Sequence, residues 1–234
     1  MSTKTFVLVH GAWHGGWCWK FVRDALTAQG HEVFTPTLTG LGERSHLMSK
    51  DITLDTHIAD IVNLVRFERL HDICLVGHSY GGWPVSGALE KISEQVSSVV
   101  YLDAFLPQHG QAGIETQSPE SAASVHAAVA RGDIARKGPS AAAFGVKPEH
   151  QAWVDAMMTP QPIGVSFTPI TLTGARERVA KKAYIRASAY AQPTFDAHLA
   201  SCKAAGWRTV ELDIGHDVMV DAPHELAQLL IEFA

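Results

Sequence analysis

The sequence predicts an α/β fold with a six-stranded, mostly parallel sheet, and three observations predict it. Short β-branched or aromatic runs recur along the 234 residues, most are separated by segments with helical spacing, and the composition supports a large core. With 46% apolar and 18% charged residues, one domain is expected, burying roughly 70 to 75% of its unfolded surface. The strand candidates are residues 6–9, 32–35, 73–77, 98–102, 183–186 and 209–214, each the size of a fully buried strand. Helix candidates fall between most of them, which is the alternation of a parallel α/β sheet.

Each helix has its own signal. Residues 17–29 end at Gly30, a natural left-handed stop. Residues 54–70 place Ile58, Ile61, Val62, Val65 and Arg66 at three- and four-residue spacing. Residues 80–92 follow a serine, and residues 223–233 open on Pro223, which suits a first helical turn. The alternation breaks at residues 107–180, which hold no convincing strand. Serine caps a proline start at Ser118-Pro119-Glu120, and a second start stands at Lys147-Pro148-Glu149. A structureless loop of that length does not suit a compact domain. The expected organisation is a single domain with its core in residues 1–106 and 181–234 and a helical cap insertion in residues 107–180.

The formal charge of −5, with no Lys/Arg run longer than Lys181-Lys182, excludes an electrostatic footprint for nucleic acid or an anionic membrane. Residues 1–4 lead into a strand without a signal-peptide core, and no run approaches 18 apolar residues, so the cytoplasm is expected. Cys18, Cys74 and Cys202 lack C-x-x-C pairing and read as reduced, buried thiols. No metal or other cofactor is expected. His10 and His14 are four residues apart, but their turn is not helical and no third ligand follows at zinc spacing. A small neutral or weakly charged molecule is the expected partner, and a homodimer is left open.

The chemistry is signalled by "LVGHSYGGW", residues 75–83, where the pattern G-x-S-x-G follows a buried strand and precedes a helix, the setting of a nucleophile that attacks a small-molecule ester. There Ser79 would stand on a sharp turn at a helix N-terminus, where backbone donors favour developing negative charge. The bland alternative is a helix-capping serine. The oxyanion donors expected for such a nucleophile are the N–H of Tyr80 and one from the glycine-rich turn "VHGAWHGGW", best placed at Ala12. His216, in the turn after the last strand, is the best-placed base of thirteen histidines. His78 lies inside the turn with its ring expected to point away, and His150, His198 and His224 read as polar helix faces.

The acid is less constrained. Asp103, in "VVYLDAFLP", lies at the carboxyl end of a strand, where catalytic groups of α/β sheets collect. Wedged among apolar residues, it needs a partner such as His216, although it could equally cap a turn. Asp196 is the next candidate, on what reads as the first turn of a helix, where the dipole alone would favour it. Asp213, Asp217 or no acid complete the alternatives.

The stretches "LVHGAWHGGWCW", "TLTGLGERSH", "VGHSYGG" and "YLDAFLP" resemble the group of α/β-hydrolases that contains plant methyl-salicylate-type esterases, hydroxynitrile lyases and bacterial EstC-like esterases. The resemblance implies an α/β-hydrolase fold with a helical cap, a nucleophile at Ser79, a base at His216 and oxyanion donors at Ala12 and Tyr80. The plant members carry their acid after the penultimate strand, where this sequence has Ser188-Ala-Tyr190. The lyases have threonine in place of Gly11 and lysine in place of Asp217. A carboxylesterase with a Ser-His-Asp triad is therefore expected, ahead of a cyanohydrin lyase or a hydrolase-fold binding protein with little turnover. Trp153, Met157, Met158 and Phe167, with Trp13 and Trp83, are the expected walls of an apolar pocket.

Overall fold

The computed structural model describes residues 3–234. Among these, eight strands and nine α-helices run in the order β1 (Thr5–Val9), α1 (Lys20–Thr27), β2 (Glu32–Phe34), α2 (Leu54–Phe67), β3 (Ile73–His78), α3 (Gly82–Ile92), β4 (Val96–Leu102), α4 (Pro119–Ala130), β5 (Ala135–Arg136), α5 (Pro148–Met157), β6 (Gln161–Pro162), α6 (Ala175–Arg178), β7 (Lys181–Ala187), α7 (Pro193–Ala204), β8 (Arg208–Leu212), α8 (Val218–Asp221) and α9 (Pro223–Phe233). Six strands form one sheet in the order β2-β1-β3-β4-β7-β8, and all its pairings are parallel.

Parallel strands buried on both faces need apolar residues at every position, and the alternation of side chains decides which face each one serves. Val7, Val9, Leu75, Val99 and Tyr101 pack toward Ile58, Ile61 and Leu89 of α2 and α3. Their neighbours Phe6, Leu8, Cys74, Val76 and Val100 pack the other way, toward Val22 and Leu26 of α1 and Leu226, Leu230 and Phe233 of α9. All three cysteines are free and buried. Among the described residues no helix is long and apolar enough to cross a membrane.

Local chemistry sets the ends. Ser118 accepts the N–H of Ser121 at 3.2 Å ahead of Pro119, and Pro148 opens α5. The expected helix over residues 17–29 begins as a 3-10 turn, Gly16–Trp19. That over residues 54–70 stops at Phe67, because Arg69 takes φ +55° and the Leu70 N–H turns back to the Val65 carbonyl at 2.9 Å. The last strand closes at Leu212 rather than residue 214. Within residues 107–180, where no strand was expected, β5 and β6 form an antiparallel ribbon that pairs Ala135 with Pro162 and Arg136 with Gln161. Two-residue strands are too short to display a period of two, so the sequence carries no trace of them.

The sheet sets the loops leaving β1, β3 and β4 side by side, with Val9 in register with Gly77 and His78 with Leu102. Strand order reverses between β1 and β3, and the crevice outside the carboxyl ends of strands at such a reversal is where α/β sheets hold ligands.

Candidate active site

Ser79 stands in that crevice, at the first residue after β3 and at the head of a 3-10 turn, Ser79–Gly81, that runs into α3. Its φ of +53° lies in the left-handed region, which costs energy for a residue with a Cβ and persists where the surroundings enforce it. The enforcement is close packing. A Cβ on Gly81 would approach the carbonyl oxygens of His10 and Val9 to 2.8 and 2.9 Å, so only glycine lets β1 and the turn lie this near. The Phe105 N–H also donates to the Ser79 carbonyl at 3.1 Å, tying the loop after β4 to the turn.

His216 reaches the same cavity from the loop after β8. Its backbone N–H donates to the Phe144 carbonyl at 2.8 Å, and its ring stacks near Tyr190 and Phe195, with centroids 4.6 and 5.8 Å away. Its Nδ1 lies 2.6 Å from Asp103 Oδ2. Asp103 is fully buried and, like Ser79, has a positive φ, +43°. Its other oxygen, Oδ1, accepts from Arg186 Nη1 at 2.7 Å and from the Ala187 N–H at 3.1 Å. The carboxylate is thus fully satisfied, the condition for keeping a charge in an apolar interior. Asp196 is not brought to His216. It accepts from Arg186 Nε at 2.8 Å with a side chain 61% exposed.

Ala12 and Tyr80 line the cavity beside Ser79. Four buried histidines brace this region. His10 donates through Nδ1 to the Gly11 carbonyl at 2.7 Å and accepts the Leu38 N–H at Nε2, and burial pulls its pKa down to about 3, so it is neutral. His57 is held down to about 4, chiefly by burial. It donates from Nε2 to the Thr39 carbonyl and accepts from the Tyr80 hydroxyl at 2.9 Å. His78 donates from Nε2 to the His216 carbonyl at 3.1 Å. Burial and the adjacent His216 hold it well below its ordinary value.

His14 differs. Its Nδ1 faces the Ala12 carbonyl at 2.8 Å and its Nε2 faces Asp217 Oδ2 at 3.0 Å. Two acceptors require two N–H donors, which only the imidazolium has. Burial opposes the charge, but the field and hydrogen bond of Asp217 outweigh it and raise the His14 pKa. His14 in turn holds Asp217 well below the carboxylate range against the opposing effect of burial. An ion pair, its histidine stacked on Trp17 with centroids 5.2 Å apart, therefore underlies the Ala12 peptide, with Asp217 Oδ1 buried and, among the described residues, unpartnered.

The cavity has a volume of about 560 Å³. From the core it is walled by Trp13, Trp83 and Phe105, from the loop and helix after β7 by Tyr190 and Phe195, and from residues 107–180 by Phe144, Arg136 and Gln161. Of the aromatic and sulfur side chains expected to line it, Trp13 and Trp83 do. Trp153 instead packs on Trp17 and Phe21, Met158 joins the core around α1 and α9, Phe167 packs beside His126, and Met157 is exposed. These four lie on faces turned to the core or to solvent, which composition does not distinguish from a pocket wall. Of the histidines read as helix faces, His224 is exposed, but His150 is half-buried and bonded to Asp221 Oδ1 at 2.8 Å.

Sequence reasoning passed over Arg186, although a lone arginine ending an apolar strand signals a buried carboxylate nearby. It weighed His14 only as a metal ligand, and it passed over Arg136 and Gln161. The mainchain of Trp13, at φ +64°, is pinned from both sides. Its N–H donates to Gln161 Oε1 at 3.0 Å and its carbonyl accepts the Thr159 N–H at 2.9 Å. Among the described residues no cluster of three or more histidine, cysteine or acidic side chains is arranged to hold a metal ion.

Known proteins share this sheet and much of this sequence. The model of the alpha/beta hydrolase family matches residues 6–229. The carbendazim hydrolyzing esterase of Nocardioides sp. (strain SG-4G) is 41% identical to this chain, over 96% of this chain and 97% of its own length. Methylesterase 1 of Arabidopsis thaliana is 38% identical over a shorter stretch, 44% of this chain and 40% of its own. In three dimensions the chain is similar to an extracellular alpha/beta-hydrolase from a Paenibacillus species, with a TM-score of 0.84 and 99% of both chains covered at 23% identity, a likeness of fold.

Proposed function

The chain belongs to the alpha/beta hydrolase family and is an ester hydrolase, and on that premise we propose that it cleaves small apolar or aromatic carboxylic esters through an acyl-enzyme on Ser79. One observation carries the reading: the buried 2.6 Å pair of His216 Nδ1 and Asp103 Oδ2 adjoins the cavity that holds Ser79. With Nδ1–H given to Asp103, the other ring nitrogen of His216 is the acceptor for the Ser79 proton. Asp103 fixes that tautomer and stabilises the imidazolium formed as Ser79 Oγ attacks the ester carbonyl. Arg186 and the Ala187 N–H hold Asp103 in place.

The oxyanion is received by the N–H groups of Ala12 and Tyr80. Donors fixed in a water-poor site contribute a factor of about 10² to 10³ each. The proton on His216 passes to the departing alkoxide, and water activated by the same ring then hydrolyses the acyl-enzyme. No cofactor takes part in these steps. Residues 107–180 act as a helical cap inserted into a single domain, whose core is residues 1–106 and 181–234. Two features weigh against cyanohydrin cleavage. A Cβ on Gly11 would stand 2.9 Å from both Ser79 Cβ and His78 Nδ1, leaving no room for threonine, and Asp217 supplies a negative charge already committed to His14.

Carbendazim, a methyl carbamate on a flat heteroaromatic ring, suits aromatic walls and, with p-nitrophenyl acetate, makes the first assay. Ser79→Ala is expected to reduce turnover by about 10³-fold or more while the circular dichroism spectrum is kept. Denaturing mass spectrometry of the wild type with a slow ester should find the acyl group on Ser79. Turnover that survives the substitution would overturn the reading, as would cyanide release from mandelonitrile that outpaces ester cleavage.

A further inference from the structure

Among the described residues, Arg136 is the only charged one that walls the cavity apart from the titratable His216. The β5–β6 ribbon sets Arg136 opposite Gln161, and both are fastened to Trp13, whose indole Nε1 donates to the Arg136 carbonyl at 3.2 Å. The guanidinium lies over the Trp13 ring, 4.8 Å from its centroid. Among the described residues no carboxylate lies within ion-pair distance of it, and its Nε is buried without a hydrogen-bond partner. Burial lowers its pKa, which is the sign of a charge held out of water without compensation. Every other buried or half-buried arginine for which a pKa shift is resolved, Arg176 and Arg186, has an acidic partner. An unpaired, partly desolvated cation at the wall of a ligand cavity is costly, and an anion delivered by a ligand removes that cost.

We propose that Arg136 is a specificity-determining residue that receives an anionic group on the substrate, so that the favoured substrates are half-esters of aromatic dicarboxylic acids. This rests on the esterase reading above. The scissile ester faces Ser79, and the free carboxylate, at the other end of the ring, takes charge-assisted hydrogen bonds from the guanidinium. The aromatic walls sandwich the ring between. Trp13 links the two ends, since it stands next to Ala12 in the chain and its ring carries the guanidinium.

The test compares monomethyl terephthalate with dimethyl terephthalate on the wild type, Arg136→Met and Arg136→Lys. The wild type should favour the half-ester in kcat/KM by about tenfold or more, the range of one or two charge-assisted hydrogen bonds. R136M should erase the preference and R136K should keep part of it. Equal preference in wild type and R136M overturns the proposal. Loss of both substrates in proportion, with a lowered melting temperature, also overturns it, by assigning Arg136 a purely structural role. If R136M fails to fold, Arg136→Gln takes its place. A second readout needs no turnover: calorimetry on Ser79→Ala should find benzoate bound about tenfold more tightly than benzamide, and R136Q in that background should abolish the difference. If no ester is hydrolysed but the benzoate preference holds, the esterase reading fails and the Arg136 assignment stands. If esters are hydrolysed without any preference for an anion, the reverse holds.

Discussion

Asp103 accepts three hydrogen bonds on two oxygens while fully buried, whereas Asp196 shares one arginine and faces solvent. Asp103→Asn should lower kcat by about 10⁴-fold through loss of the correct imidazole tautomer, in protein still folded by circular dichroism. Asp196→Asn should leave turnover nearly intact and cost about 0 to 1 kcal/mol, as an exposed pair does. The reverse pattern in steady-state kinetics would exchange their roles. The His14–Asp217 pair makes a separate prediction. Asp217→Asn strands a buried charge and should cost about 3 to 5 kcal/mol. The raised His14 pKa gives stability that is complete below its unfolded value and lost as pH rises through the folded one. The lowered Asp217 pKa gives stability that is complete above its unfolded value and lost as pH falls through the folded one. Urea midpoints of wild type and D217N should thus differ most between about pH 4 and 6.5 and converge in alkali. The serine was legible at this scale because its pattern falls between a buried strand and a helix. Arg186 and His14 were not, because a lone charged residue names its partner only when the chain has folded.

Among elements, the parallel strands and the long helices were readable, since buried runs and proline starts are local properties. The β5–β6 ribbon was not, yet its Arg136 and Gln161 wall the cavity and it also braces Trp13. Gln161 supplies the acceptor for the Trp13 N–H. Gln161→Leu should therefore cost about 1 kcal/mol and also lower kcat/KM, because Trp13 adjoins Ala12. Thermal melts and Michaelis–Menten kinetics together check this. A loss of stability with unchanged kcat/KM would mean that the ribbon supports the fold without setting the geometry of the Ala12 turn. Residues 107–180 also meet the turn that carries His216, where the Phe144 carbonyl holds the His216 N–H and a Cβ on Gly215 would strike the Gly145 carbonyl. Neither connection has a sequence signature, because both are mainchain encounters between segments far apart in the chain.

Across the whole molecule, among the described residues, five non-glycine positions adopt positive φ: Trp13, Arg69, Asp72, Ser79 and Asp103. Trp13 and Ser79 line one cavity and Asp103 lies behind it on His216, each in the segment that follows a different strand. Glycine would occupy these φ values without steric cost. A library screened for surviving heat, with no demand for turnover, should accumulate glycine at 79 and gain up to about 1 to 2 kcal/mol there, but not at 13 or 103, where glycine would remove a packed ring or the partner of buried Arg186. Deep sequencing of such a screen checks this, and absence of glycine from 79 would show that packing outweighs strain there as well. A screen for turnover should purge the same substitution. The turn after β3 is thus a place where selection for durability and selection for chemistry pull in opposite directions, and a lineage released from the second would lose its site first at Ser79.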